Sequence, residues 1–158
     1  MTAAIKRILL TAIIALTAIA ASAQSGQDFS TRFMQLYSDS HPLNCKTISP
    51  TMMEKVMQLD NVEKDKTTRQ VLSQLKSIRI VSAKEDADQL FSKAQTLAKQ
   101  NRQRYRPYAS GEGSDIYTRK RGKTIVELVV IMKKGGHFSL LNFTGNMSPG
   151  FIEKVRSI

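Results

Sequence analysis

The stretch SDIYTRKRGKTIVELVVIMKKGGHFSLLNFT, residues 114–144, decides the fold. Apolar residues run through 115–120, 124–133 and 137–144, and two tight joints separate them, Arg121-Gly122-Lys123 and Gly135-Gly136. A Gly-Gly pair between such runs is a strong hairpin signal, because a type I′ turn needs φ > 0 at both central residues. With those glycines in the turn, Lys134 opposes His137, Ile131 opposes Leu140 and Leu128 opposes Phe143. Val126, Leu128 and Val130 then share a face with Leu141 and Phe143, while Ile125, Val129 and Ile131 take the other. A strand that is apolar on both sides is covered on both sides, or nearly so.

Working upstream, Ala87, Leu90, Phe91, Ala94, Leu97 and Ala98 recur at helical spacing. Ser82-Ala83-Lys84-Glu85 ahead of them has the S-x-x-E form of a capping box. Asp86 and Asp88 near the start and Lys99, Arg102 and Arg104 at or past the end complement the helix dipole. Pro107 forbids continuation, and Gly111-x-Gly113 reads as a flexible loop. Earlier still, a strand over 43–48 feeds a helix start at Ser49-Pro50, with Ser as N-cap and Pro at the first helical position. Met52, Met53, Val56, Met57 and Leu59 give that helix its apolar face. Residues 61–66 read as a charged loop, and Val71, Leu72 and Leu75 as a short helical turn before a strand over 77–81.

Phe29, Phe33, Leu36 and Tyr37 mark a short amphipathic helix near the N-terminus. A last helix starts at Ser148-Pro149 and turns Phe151, Ile152 and Val155 inward. The segments 48–56 and 147–155 match at Ser, Pro, Glu, Lys and Val, a strand feeding a Ser-Pro helix start twice in one sheet. The whole pattern predicts an α+β fold: a mostly antiparallel sheet with a C-terminal β-meander and helices packed mainly on one face.

Residues 1–23 have the form of a cleaved export signal. Lys6 and Arg7 precede an apolar run over 8–20, and Ala21-Ser22-Ala23 closes it as an A-x-A site. The apolar run is short for a membrane span, which needs about 20 apolar residues. Cleavage after Ala23 leaves 24–158 as one α+β domain with no transmembrane segment, expected in the periplasm or at the outer-membrane periphery. It carries 22 basic against 13 acidic residues, a net charge of +9. In an exported protein the matching polyanions are anionic lipid, lipopolysaccharide and acidic glycan, and nucleic acid is not an expected partner.

Chemistry with a recognisable spacing is scarce. Neither H-E-x-x-H, nor C-x-x-C, nor an EF-hand loop occurs, so no metal and no cofactor are expected. Gly122-Lys123-Thr124 lacks the upstream glycine of a phosphate-binding loop, and Gly111-x-Gly113 lacks the third glycine of a dinucleotide fingerprint. Cys45, the single cysteine, lies in a strand-like alternation and is expected to be a small buried residue. His41 precedes it by four residues beside Asp39, a weak setting for thiol catalysis. His137 is expected to be an exposed hairpin residue.

The basic residues carry the functional content. Arg102, Arg104 and Arg106 follow the long helix, with Tyr105 and Tyr108 interleaved, and Arg119, Lys120, Arg121 and Lys123 surround the next hairpin. Together they are expected to form a positive rim that binds an anionic ligand, with no catalytic and no metal-ligating residues assigned. A non-catalytic envelope protein, acting on an anionic component or a protein partner, is the reading that fits. The alternatives are a regulatory or sensor partner in envelope stress signalling, and an enzyme whose carboxylates converge only in the folded chain.

The early Phe/Tyr helix, the strand before a Met-rich helix, the run Leu75, Ile78, Ile80, the strand Ile125-Val126-Glu127-Leu128 and the terminal Gly145-Asn146-Met147-Ser148 recur in one order. In this the chain resembles the small exported Bacteroidota proteins grouped as domain of unknown function 4252. The resemblance implies a Gram-negative envelope location and transfers no functional residues. Some of these proteins are lipoproteins, and this chain departs from them in lacking a lipobox cysteine.

Overall fold

The computed structural model describes residues 27–156, so the expected leader over 1–23 lies outside the described residues. In chain order the elements are α1 (Phe29–Tyr37), β1 (Asn44–Ile48), α2 (Pro50–Met57), α3 (Asp60–Lys64), α4 (Lys66–Leu72), β2 (Leu75–Ala83), α5 (Ala87–Gln100), β3 (Arg106–Gly111), β4 (Ser114–Arg121), β5 (Thr124–Lys134), β6 (His137–Met147) and α6 (Phe151–Arg156). The six strands form one sheet in the order β1-β2-β6-β5-β4-β3, and every neighbouring pair is antiparallel. The fold is α+β.

The meander has the expected register. Lys134 pairs with His137, Ile131 with Leu140 and Leu128 with Phe143. Gly135 and Gly136 both have positive φ, 57° and 76°, as a type I′ turn requires. The sheet carries a core on each face. One contains Val129, Ile131, Phe138 and Leu140 under α1 and α5; the other contains Ile125, Leu128, Met147, Phe151 and Ile152 with Met53 and Val71. Helices therefore cover both faces rather than mainly one. The two strand-to-helix units, β1–α2 and β6–α6, both deliver their helices to the second face.

A register shift between Ile125 and Glu127 moves Ile125 to the face of Leu128 and leaves Glu127 on the face of Val129. Strict alternation placed Ile125 with Val129, and the bulge overturns that placement. Further shifts fall beside it, between Arg119 and Lys120 in β4 and between Leu75 and Ser77 in β2. At the same end, β6 crosses close to the chain before β2, where the Asn146 amide donates to the Gln74 carbonyl at 2.9 Å.

Several local expectations need correction, the apolar face of α2 among them: Met52 and Leu59 are exposed, and the helix ends before Leu59. Residues 61–66 are not a loop but parts of α3 and α4; the Asp65 side chain caps α4 by accepting from the Thr67 and Thr68 amides. The capping box at Ser82 does not form, because β2 runs through Ala83 and α5 begins only at Ala87. Gly111-x-Gly113 is not a free loop; it joins β3 to β4 as a hairpin, with Gly113 at φ 70°. Leu36 does not join the inward face of α1 and is 45% exposed.

Gly145 tests the crossing beside the β2 shift. A Cβ there would collide with the Gln74 carbonyl oxygen and press on the Leu75 backbone. Gly145→Ala should cost about 2–3 kcal/mol in urea unfolding. Gly150→Ala, where a Cβ meets nothing within 4 Å, should stay within about 0.5 kcal/mol. Equal effects at the two positions would refute the account.

Candidate anion-binding site

The basic residues singled out by the sequence divide into two groups, and Glu127 makes the division. This carboxylate is fully buried on the α1 face of β5. It accepts from the Phe29 amide at 2.7 Å, Arg119 Nε at 2.7 Å, Asn142 Nδ2 at 3.0 Å and the Tyr105 hydroxyl at 3.2 Å. A buried charge is tolerated when such partners replace its lost hydration. Burial and then the Glu127 charge push the Tyr105 phenol well above the ordinary tyrosine range.

The same cluster closes the N-terminus of α1. The first amides of a helix have no intrahelical acceptor. Here Phe29 is taken by Glu127, Ser30 by Asn142 Oδ1 at 2.8 Å, and Thr31 by Asp28 Oδ1 at 2.7 Å. Arg79 adds an ion pair to Asp28 at 3.4 Å and a hydrogen bond to the Thr31 hydroxyl. Burial raises the Asp28 carboxyl, but hydrogen bonds from Thr31 and Ser30 and the Arg79 charge outweigh it and hold it below the usual carboxylate range.

Arg119 is thus committed to a buried carboxylate. Arg104 is half-committed: its Nη2 donates to the Gln27 carbonyl at 2.6 Å, its guanidinium lies 5.6 Å from the Tyr105 ring centroid, and its Nε is buried without a hydrogen-bond partner. Arg102, Arg106, Lys120, Arg121 and Lys123 are exposed. Arg106 and Lys120, with Arg104, line a polar cleft of about 500 Å³ that also includes Gln103, Tyr108 and Thr118. Tyr108, in β3, donates from its hydroxyl to Glu153 of α6 at 2.8 Å. Arg121 flanks Gly122 in the β4–β5 turn, and Lys123 follows it. Arg102 lies instead with Lys99 at a second cleft, of about 400 Å³, lined by Ala98, Tyr105, Pro107 and Tyr117.

Other expected features fall elsewhere. Cys45 is exposed rather than buried, because β1 is an edge strand whose residues are exposed from Asn44 to Thr47. His41 meets neither Cys45 nor Asp39. It is buried, and its Nδ1 lies 3.0 Å from Asp86 Oδ2, tying the segment after α1 to the start of α5. Asp86 there has a positive φ of 56°. His137 is exposed beside the hairpin.

A second buried acid, Asp115, accepts from Gln95 Nε2 and Ser110 Oγ, both at 2.6 Å, and from the Tyr117 hydroxyl at 3.4 Å. Neither Glu127 nor Asp115 was singled out from the sequence. For Glu127 the available signal is an acid isolated inside an otherwise apolar strand; Asp115, in the polar strand β4, offers none. Among the described residues no group of three or more His, Cys, Asp or Glu is arranged to hold a metal ion, and no helix is long and apolar enough to cross a membrane.

The model of a family described as Domain of unknown function (DUF4252) matches residues 44–155. The chain belongs to this family. No curated protein and no solved structure matches it. The match begins at the first residue of β1, so α1 lies outside the matched span while its N-terminus rests on Glu127 and Asn142 inside it.

Glu127→Ala should lower unfolding free energy by about 3–5 kcal/mol, since it strands Arg119 and opens the α1 cap. Glu127→Gln keeps one acceptor and should cost less. A loss below about 1 kcal/mol for the alanine variant would show that the cluster does not hold the fold. Asp28 predicts a pH effect. Folding lowers its pKa, so its stabilisation is complete above about pH 4 and disappears as pH falls below that. Asp28→Asn should flatten the acid limb of the stability curve, and an unchanged limb would contradict the assignment.

Proposed function

We propose that this family member is an exported, non-catalytic envelope protein that binds a phosphate- or carboxylate-bearing envelope component at the basic cleft. The observation that carries the reading is the convergence of Arg104, Arg106 and Lys120 on one open cleft of about 500 Å³. Arg121 and Lys123 extend the same charge along the β4–β5 turn. Export supplies the polyanions, and the net charge of +9 after cleavage favours approach to them. Arg119 drops out of the ligand-binding set, because its guanidinium neutralises Glu127.

The form of this surface fits charge-based recognition. Lys and Arg held on strand ends near an anionic bilayer contribute about 1 kcal/mol each, screened within a Debye length. Such a site discriminates on charge and spacing. The lining is cationic and polar, which supports binding of an anion.

The protein recovered from the envelope of its own cells should begin at Gln24; a chain beginning at Met1 would overturn export. The recovered protein should be retained on phosphatidylglycerol vesicles and released towards 1 M salt, where the Debye length falls to about 3 Å. Replacing Arg106, Lys120, Arg121 and Lys123 together by Ser should cut retention on the order of 1,000-fold without changing the unfolding midpoint. Undiminished retention would remove the site.

A further inference from the structure

The second cleft is chemically unlike the first. It is lined by Ala98 near the end of α5, Tyr105 in the following turn, Pro107 in β3 and Tyr117 in β4. Both tyrosine hydroxyls are engaged by buried acids, Tyr105 by Glu127 and Tyr117 by Asp115. What the two rings leave for the cleft is hydrocarbon, and its lining is mainly apolar. Burial and the neighbouring acids push both phenols upward, which keeps them protonated and bound to those acids.

Charge enters only at the rim. Lys99 and Arg102, three residues apart, are exposed and have no acidic partner among the described residues. An apolar cavity of about 400 Å³ with a few convergent polar groups has the size and composition of a small-ligand site. A ligand that satisfies both parts has a hydrocarbon body and one anionic end.

We propose that this cleft takes a single-chain amphiphile with a carboxylate head, the chain lying on Ala98, Pro107, Tyr105 and Tyr117 and the head paired with Lys99 and Arg102. The proposal deepens the anion-binding reading and rests on it for the sign of the ligand's charge; it uses different side chains from those of the polar cleft. Pro107 lines both clefts, so they adjoin across β3. The acyl chain of a membrane lipid shares the hydrocarbon body but is ester-linked and has no carboxylate, and the test separates it from a free fatty acid.

The probe is dodecanoate, titrated calorimetrically below its micelle concentration into the protein recovered from the envelope. Binding should tighten roughly tenfold from decanoate to dodecanoate, as each added methylene leaves water, and acetate should not bind. Dodecanol should bind at least tenfold more weakly. Lys99→Glu with Arg102→Glu should weaken dodecanoate at least tenfold, with the unfolding midpoint unchanged. The quadruple Ser variant at Arg106, Lys120, Arg121 and Lys123 should bind dodecanoate normally while losing vesicle retention. Loss of vesicle retention alone therefore reports on the polar cleft, and loss of dodecanoate alone on this one. Equal binding of dodecanol, indifference to the Glu substitutions, or retention on vesicles with no binding of free dodecanoate would each overturn the proposal.

Discussion

The Glu127 carboxylate, fully buried, collects donors from the N-terminus of α1, from the turn after α5, from β4 and from β6. Each donor belongs to a different element, so satisfying one acid fixes four pieces of chain relative to each other. Alternation from Val129 already turns Glu127 towards α1, and the register shift before it carries Ile125 away to the opposite core with Leu128 and Met147. An acid set in an apolar strand thus becomes the anchor for a helix, because donors from four elements replace its lost hydration.

What α1 gains from this anchor is an otherwise unstable N-terminus. A nine-residue helix is too short to be stable alone in water. Three side chains from separate segments take its first three amides, and Phe29 and Phe33 fill the core beneath. Phe33 stacks on Phe138 at 5.5 Å, and Phe29 meets Tyr105 edge-on at 5.1 Å. Capping and packing act on the same short segment, so each makes the other worth more. The segment matched to the family begins after α1, yet the polar groups that receive it, Glu127 and Asn142, lie within the match.

Much of this was legible in the chain. The Gly-Gly turn and the alternation on either side fixed the β5–β6 register, and the spacing of Leu90, Phe91, Ala94 and Leu97 fixed the inward face of α5. The failures share a cause, since each required knowing what lies opposite. β3 was invisible because Pro107 reads as a helix terminator, although an edge strand tolerates proline. Cys45 alternates like a core residue, but its strand ends the sheet. Ser82-x-x-Glu85 has the right letters for a cap, but pairing with β6 holds Ser82 and Ala83 in the strand. The basic residues were found as a set. Their division was hidden, because the acid that claims Arg119 lies eight residues away on the neighbouring strand.

That division bears on how positive charge at this end of the sheet is to be understood. Net charge treats Arg119 and Arg106 alike, yet one is spent inside the protein and the other faces solvent. Side chains on β4 alternate: Tyr117 and Arg119 turn towards Glu127 and Asp115, while Thr118 and Lys120 line the polar cleft. The shift after Arg119 sits where the strand passes from neutralising an internal acid to presenting external charge. Strand backbone thus places Arg106, Lys120 and Arg121, with their spacing set by sheet geometry, while Lys123 sits in the adjoining turn. The entropy of ordering the backbone that carries these cations is met by folding around Glu127.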